Sequence, residues 1–168
     1  LGSRGAALMS DYADDPGNHG LLFHSAERLS QKVRQAVEAG YQVGVHAIGD
    51  HANRTVLDVY EQVLAEHPSA DLRLRIEHAQ VIAVEDIARF GQLNVLASVQ
   101  PTHATSDMPW AEKRVGENRI QGAYAWRQLL DSGARLPLGS DFPVEGVSPL
   151  VGLYAAMTRQ DSQGKPVG

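Results

Sequence analysis

Three short apolar runs of this chain each end in a histidine or an aspartate just before the chain turns. The runs read YQVGVHAIGD, LRLRIEHAQ and LPLGSDFPV, and they carry His46, His78 and Asp141 near their ends. Successive strands of a βα barrel end on the same face, where loops and catalytic groups gather. The placement therefore predicts a single site shared by several parallel strands.

The remaining sequence alternates strand-like and helix-like segments. Apolar residues at helical spacing predict a first helix over about 25–39, with Ser25 as its N-cap and Gly40 after its end. A second helix begins at Asp50, which is placed to cap it, and ends at Pro68. The predicted strands are 41–45, 72–76, 94–100 and 135–139, and the other predicted helices are about 84–91, about 121–130 and one starting at Ser148.

Four repeats of strand then helix predict parallel strands joined by crossover helices. A barrel and an open doubly wound sheet both fit this pattern. We prefer the barrel because no glycine fingerprint such as GxGxxG follows a strand, and because polar groups recur at several strand ends. The chain has 168 residues, whereas a complete barrel takes about 250. The predicted fold is therefore α/β, a partial TIM (β/α)8 barrel.

Two imidazoles and a carboxylate at one barrel mouth predict a divalent metal. The chain has no cysteine, so the ligands must be His, Asp or Glu. His46, His78 and Asp141 match the three protein ligands of an open zinc site, whose metal lowers the pKa of water from 15.7 towards about 7. Zinc is the expected ion, with manganese or iron as alternatives. The competing interpretation of His46 is a core histidine hydrogen-bonded to the backbone.

Other polar residues are assigned to substrate contact or to support of the site. His103, in QPTH, lies beyond its strand and is predicted to face substrate, or else to be a solvated loop histidine. Residues 101–116 are predicted to form a long loop, and its Arg114 either binds substrate as part of a lid or packs the loop onto the rim. Glu77 is expected to support a ligand or to lie on the strand surface.

Composition narrows the ligand classes. The net charge is −5 and Lys and Arg are not clustered, which disfavours nucleic acid and anionic membranes because phosphate binding needs concentrated positive charge. No stretch approaches the roughly 18 apolar residues of a membrane helix. The expected partner is a small-molecule substrate, and the default location is the cytoplasm.

Six motifs in one order resemble the amidohydrolase superfamily, and within it the YtcJ-like branch that includes N-substituted formamide deformylase. They are LGSRGAAL with DDPGN, VHAIGDHAN, RIEHAQ, QPTH, AYAWRQLLDSGARLPLGSDFPV and MTR. The resemblance implies one or two divalent ions bound by His46, His78 and Asp141 after barrel strands five, six and eight. It also implies that Asp141 is the general base and that His103, after strand seven, contacts substrate.

The family pattern also includes elements that this sequence does not contain. These are an HxH pair after strand one, a strand-four ligand that is often a carboxylated lysine, and a small β-sandwich domain. Residues 1–168 are therefore predicted to be the C-terminal half of the barrel, with strands five to eight. We expect this half to be inactive alone and to self-associate or pair with the missing half.

The resemblance implies a hydrolase of C–N bonds, in amides, formamide-like compounds or cyclic amides, that uses a metal-activated water. The alternative is a non-catalytic barrel remnant that binds a partner or a small ligand, and metal content distinguishes the two. A nucleotide-binding open sheet is a third interpretation, which the lack of a phosphate-binding glycine loop disfavours.

Overall fold

The first helix forms where the sequence predicts it. The structure, a computed structural model, describes residues 1–166. Helix α1 spans Ala26–Glu38, and the Ser25 hydroxyl accepts a hydrogen bond from the backbone N–H of Arg28 at 3.3 Å. Gly40 follows with a positive φ of 82°, a conformation that glycine adopts without steric cost. The predicted cap and stop signals are both confirmed.

A parallel sheet of three strands lies at the centre of the fold. Strands β1 (Gly44–Ala47), β2 (Arg75–His78) and β3 (Leu96–Ser98) are hydrogen-bonded in that order. Val45 pairs with Ile76, and Ile76 pairs with Ala97. The α/β class with parallel neighbours is confirmed. Each observed strand is shorter than predicted, and β1 begins three residues later than the predicted 41–45 run.

Two helical segments connect these strands and cover the sheet. Helix α2 spans Asp50–Glu66 and ends just before Pro68. A 3-10 turn over Val84–Asp86 leads into helix α3, Ile87–Gln92. Burial of apolar area contributes about 25 cal/mol per Å², so the packing of these helices against the sheet stabilises the fold. Large apolar residues buried in these helices, in β2 and in the adjoining segments include Leu57, Val59, Tyr60, Val63, Leu74, Ile76, Ile82 and Phe90.

The predicted long loop over 101–116 is wrong, because most of it is helical. Helix α4 spans Pro101–Asp107 and helix α5 spans Ala111–Arg119, with a non-helical kink at Gly116. Pro101 occupies the first helical position, where its missing N–H costs nothing and its fixed φ suits the helix. The helices bury Thr102, Ala104, Ala111 and Val115. The few apolar residues of this buried face are separated by polar residues in the sequence, so no regular apolar pattern is visible there.

The last part of the chain is less regular than predicted. The helix expected over 121–130 is a 3-10 turn, Ile120–Gly122, followed by helix α6, Trp126–Asp131. Residues 135–139 lie parallel to β3, and the amide of Gly139 donates to the Val99 carbonyl at 3.0 Å. Pro137 has no N–H to donate, so this segment forms an isolated bridge and not a full strand.

Helix α7 spans Pro149–Thr158 with Ser148 before it, as predicted. Among the described residues, none of the helices combines the length and the apolar character that crossing a bilayer requires.

Candidate metal centre

One buried asparagine fixes the turns that follow β1 and β2. The side chain of Asn53, on α2, is fully buried. Its Nδ2 donates to the carbonyl of Gly49 at 2.9 Å and to that of Val81 at 3.1 Å. Gly49 lies just beyond β1, and Val81 lies just beyond β2. The carboxyl ends of the two strands, which carry His46 and His78, are therefore held in fixed register.

The two strand-end histidines meet because the backbone at His78 departs from strand geometry. His78 pairs with Ala47 and is two residues from Ile76, so regular alternation would place its side chain on the Ile76 face, away from His46. The φ of His78 is instead +77°. Its ring centroid lies 4.5 Å from that of His46, edge to face. A strained φ at a non-glycine residue costs on the order of 1–3 kcal/mol and is typical of functional sites.

His103 and Asp141 complete a group on the same side of the sheet. His103 lies in the first turn of α4, and its ring centroid is 5.9 Å from that of His78. Asp141 follows the 135–139 segment with a φ of +58°. The Nε2 atom of His103 and the Oδ2 atom of Asp141 are 3.2 Å apart. His78 and Asp141 therefore both have a positive φ, a backbone conformation that L-residues rarely adopt.

His78, His103 and Asp141 together form what we term the His–His–Asp cluster. One potential ligand atom from each residue lies within 4.8 Å of the other two. Two donor atoms on one Zn²⁺ are at most about 4.2 Å apart, twice the usual bond length of about 2.1 Å. Small inward rotations of these side chains would bring the atoms within that limit. Two imidazole nitrogens and a carboxylate oxygen are a donor set that suits zinc, so the residues fit a divalent ion.

Electrostatics favours the metal-binding form of both strand-end histidines. Partial burial lowers the pKa of the His46 imidazole, and it also lowers the pKa of His78, where the neighbouring His46 adds to the effect. The negative charge of Asp141 acts in the opposite direction on both rings. A lowered pKa keeps the ring neutral near pH 7, and the neutral imidazole is the form that has a lone pair for a metal.

The structure brings together most of the residues that the sequence singled out. His78 and Asp141 lie in the cluster, and His46 lies against His78. His103, predicted to face substrate, also belongs to the cluster and hydrogen-bonds to Asp141. The ligand roles of His46, His78 and Asp141 and the substrate role of His103 stay predictions.

Arg114, Asp50 and Glu77 form their side-chain contacts with residues outside the His–His–Asp cluster. Arg114 pairs with Asp14, and its guanidinium lies 5.5 Å from the centroid of the Trp110 ring, so its substrate role stays a prediction. Asp50 is the first residue of α2 and not its N-cap, which is Gly49. Its carboxylate accepts from the amide of Met9 at 2.9 Å. Glu77 pairs with Arg75 on the strand surface.

Sequence reasoning missed Gln100, which contacts the cluster directly. Its Oε1 lies 2.8 Å from Nδ1 of His78, and its side chain is largely buried. Its position in QPTH could have indicated this role. A polar residue that ends an apolar strand and precedes a proline is well placed to point into a site at the strand end.

Comparisons with known proteins agree with the metal-binding interpretation. The sequence profile of the amidohydrolase family matches residues 1–167. Protein LONG AFTER FAR-RED 3 of Arabidopsis thaliana is 43% identical over 160 residues, which are 95% of this chain and 27% of that protein. YtcJ of Bacillus subtilis (strain 168) is 40% identical over 163 residues, covering 96% and 30%. N-substituted formamide deformylase of Arthrobacter pascens is 30% identical over 152 residues, covering 88% and 27%.

Solved structures show the same arrangement of the chain. An uncharacterized metal-dependent hydrolase from Pyrococcus horikoshii OT3 superimposes with a TM-score of 0.84 at 35% identity, covering 94% of this chain and 31% of that one. A second such hydrolase, from Pyrococcus furiosus, gives a TM-score of 0.82 at 34% identity, with 92% and 31% coverage. The chain therefore spans less than a third of the length of each of these proteins.

Proposed function

Because the chain belongs to the amidohydrolase family, we propose that it supplies part of the active site of a metal-dependent hydrolase that cleaves C–N bonds. The observation that carries the proposal is the His–His–Asp cluster, which lies beside His46 at the carboxyl ends of the parallel strands. That edge is where barrel enzymes place their catalytic groups.

The proposed ligands are His46, His78 and Asp141, with zinc as the ion. Asp141 can serve the ion and His103 together, because an ionised carboxylate has two oxygens and the structure uses Oδ2 for His103. Bound there, the ion would polarise the carbonyl of the substrate and acidify the attacking water. His103 has one ring nitrogen engaged with Asp141, so we place it on the substrate side as a group that orients this carboxylate.

Asp141 is the proposed proton carrier. Its carboxylate accepts a proton from water while the water oxygen forms a bond to the carbonyl carbon. When the C–N bond breaks, Asp141 returns that proton to the nitrogen, so that a carboxylic acid and an amine leave. Its side chain is 38% exposed, which leaves it accessible to both water and substrate. The hydrogen bond to His103 orients the carboxylate for these transfers.

The proposed substrates are amides, formamide-like compounds or cyclic amides of low molecular mass. Similarity to N-substituted formamide deformylase supports an N-substituted amide. The formal charge of −5 on this chain is compatible with neutral or cationic substrates.

Two matched variants, His46→Ala and His103→Ala, test the ligand assignment. We expect His46→Ala to weaken zinc binding by at least about tenfold, because a direct ligand is lost. His103→Ala should change zinc affinity less and mainly reduce the turnover of the complete enzyme, because Asp141 loses its orienting partner. Competition titration with a chromophoric chelator measures the affinities. The reverse order of affinities would move His103 into the ligand set and His46 out of it.

We further propose that this chain works as part of a larger barrel, an arrangement with which its parallel sheet and its match to longer hydrolases are consistent. Among the described residues, β1 pairs with a neighbour on one side only. Five apolar side chains near α7 are 64% to 78% exposed: Phe142, Val144, Val147, Leu150 and Met157. Open strand edges and apolar patches promote association.

The 168-residue chain alone is accordingly expected to self-associate and to show little or no hydrolysis. Light scattering coupled to size exclusion measures its mass in solution. Replacing Leu150 and Met157 by lysine should shift the distribution towards monomer, because the charges oppose burial of that surface. A monodisperse monomer of the unchanged chain would contradict the expectation.

A further inference from the structure

Gln100 makes three hydrogen bonds, and two of them go to residues of the His–His–Asp cluster. It lies between β3 and α4 and is 8% exposed. Its side-chain Oε1 is 2.8 Å from Nδ1 of His78, and its Nε2 donates to the carbonyl of Ser98 at 3.2 Å. Its own backbone carbonyl accepts from the amide of His103 at 3.1 Å. One residue therefore touches His78 with its side chain and His103 with its backbone.

The bond to Ser98 determines how the amide of Gln100 must be oriented. A backbone carbonyl can only accept, so the Gln100 atom that faces Ser98 must be the NH₂ group. The atom facing His78 is then the carbonyl oxygen, which also can only accept. Nδ1 of His78 must therefore carry the ring hydrogen. In the neutral ring, this leaves Nε2 with the lone pair that a metal requires.

We propose that Gln100 is a positioning residue that holds His78 in its Nδ1–H form and aims Nε2 at the cluster. The proposal rests on the proposed function, because an orientation of His78 matters only if Nε2 binds an ion. Metal-binding histidines generally donate their second ring N–H to a fixed acceptor, and loss of that acceptor typically costs 10- to 100-fold in metal affinity. Gln100 is such an acceptor, and its own amide is fixed by Ser98.

The same residue also couples the two histidines. Gln100 is the N-cap residue of α4, and its carbonyl holds the first turn, on which His103 lies. A change in its side chain should therefore disturb His78 first, while the backbone bond to His103 is retained. A side-chain substitution at Gln100 therefore tests its contact with His78 separately from its backbone bond to His103.

The first experiment determines which ring nitrogen of His78 carries the hydrogen, in the unchanged chain without added metal. Two-bond ¹H–¹⁵N correlation spectra distinguish the Nδ1–H form of a neutral imidazole from the Nε2–H form. We expect Nδ1–H for His78. An Nε2–H form would overturn the proposal without recourse to any variant.

The second experiment compares Gln100→Met with Gln100→Glu. Methionine keeps the chain length but offers His78 only a weak sulfur acceptor, so we expect loss of the fixed Nδ1–H form and a 10- to 100-fold weaker zinc affinity. Glutamate keeps an oxygen towards His78 and should retain the Nδ1–H form, with zinc affinity closer to that of the unchanged chain. Gln128→Met is the matched control, because the exposed Gln128 amide also donates to a backbone carbonyl, that of Gln121, at 3.1 Å.

The outcomes separate the two proposals. If the unchanged chain binds zinc and Gln100→Met binds it equally well with the same His78 spectrum, the role of Gln100 is wrong while the proposed function stands. If none of the proteins binds a divalent ion, the proposed function is contradicted, and the role of Gln100 towards an ion falls with it.

Discussion

Asp141→Asn is expected to lower turnover of the complete enzyme by about 10²- to 10⁴-fold, the usual contribution of a positioned general base. Asparagine keeps the shape of the side chain and can still accept from His103 with its amide oxygen. It cannot take a proton from water at neutral pH. The comparison is made by measuring kcat for hydrolysis of an N-substituted amide, with zinc content determined in the same samples.

The fold should survive this substitution, because the Asp141 side chain is 38% exposed. Thermal unfolding should therefore shift little. Asp131→Asn serves as the matched control: Asp131 is an exposed aspartate with a long 3.9 Å contact to Arg127, and its loss should leave turnover unchanged. Near-normal activity of Asp141→Asn would contradict the assignment of the proton carrier.

Gly49→Ala is expected to destabilise the chain by about 3 kcal/mol or more, at the upper end of overpacking effects. A Cβ atom at Gly49 would overlap the carbonyl oxygen of Ala7 and lie 3.1 Å from Cδ2 of Leu8. Both neighbours are buried, at 4% and 1% exposure, so they cannot move into solvent. Gly49 is also the N-cap of α2, so relief of the overlap would displace the turn beside His46. Urea unfolding followed by circular dichroism measures the loss.

Gly152→Ala is the matched control with the opposite sign. A Cβ at this position in α7 meets nothing within 4 Å. Alanine is favoured over glycine inside a helix by about 0.5–1 kcal/mol. Gly152→Ala should therefore be neutral or slightly stabilising. If Gly49→Ala and Gly152→Ala lowered the free energy of unfolding equally, the contact of Ala7 and Leu8 with Gly49 would not be what constrains the turn after β1.

Local signals predicted the regular parts of the fold. Ser25 and Gly40 delimit α1, Pro68 follows the end of α2, and Pro149 starts α7. These signals act within a few residues, so they can be recognised without knowledge of the tertiary structure. The alternation of strand and helix likewise predicted a parallel sheet, because parallel neighbours require a crossover between them. The numbering of these strands as five to eight of a barrel stays a prediction.

Features that depend on contacts between distant segments were not predictable. The helical character of 101–116 arises because its few apolar residues are buried. The positive φ of His78, which brings its ring to His46, contradicts strand alternation and has no local sequence signal. The hydrogen bond from His78 to Gln100 spans 22 positions in the sequence. Proximity of this kind is set by tertiary packing.

His78 and Asp141 are proposed to bind one divalent ion together. The most direct test is a crystal structure of the zinc-loaded chain, with diffraction data collected on both sides of the zinc absorption edge. We predict one strong anomalous peak within about 2.2 Å of Nε2 of His78 and of a carboxylate oxygen of Asp141. A peak elsewhere, or no peak in a chain whose His78 and Asp141 side chains are ordered, would contradict the account.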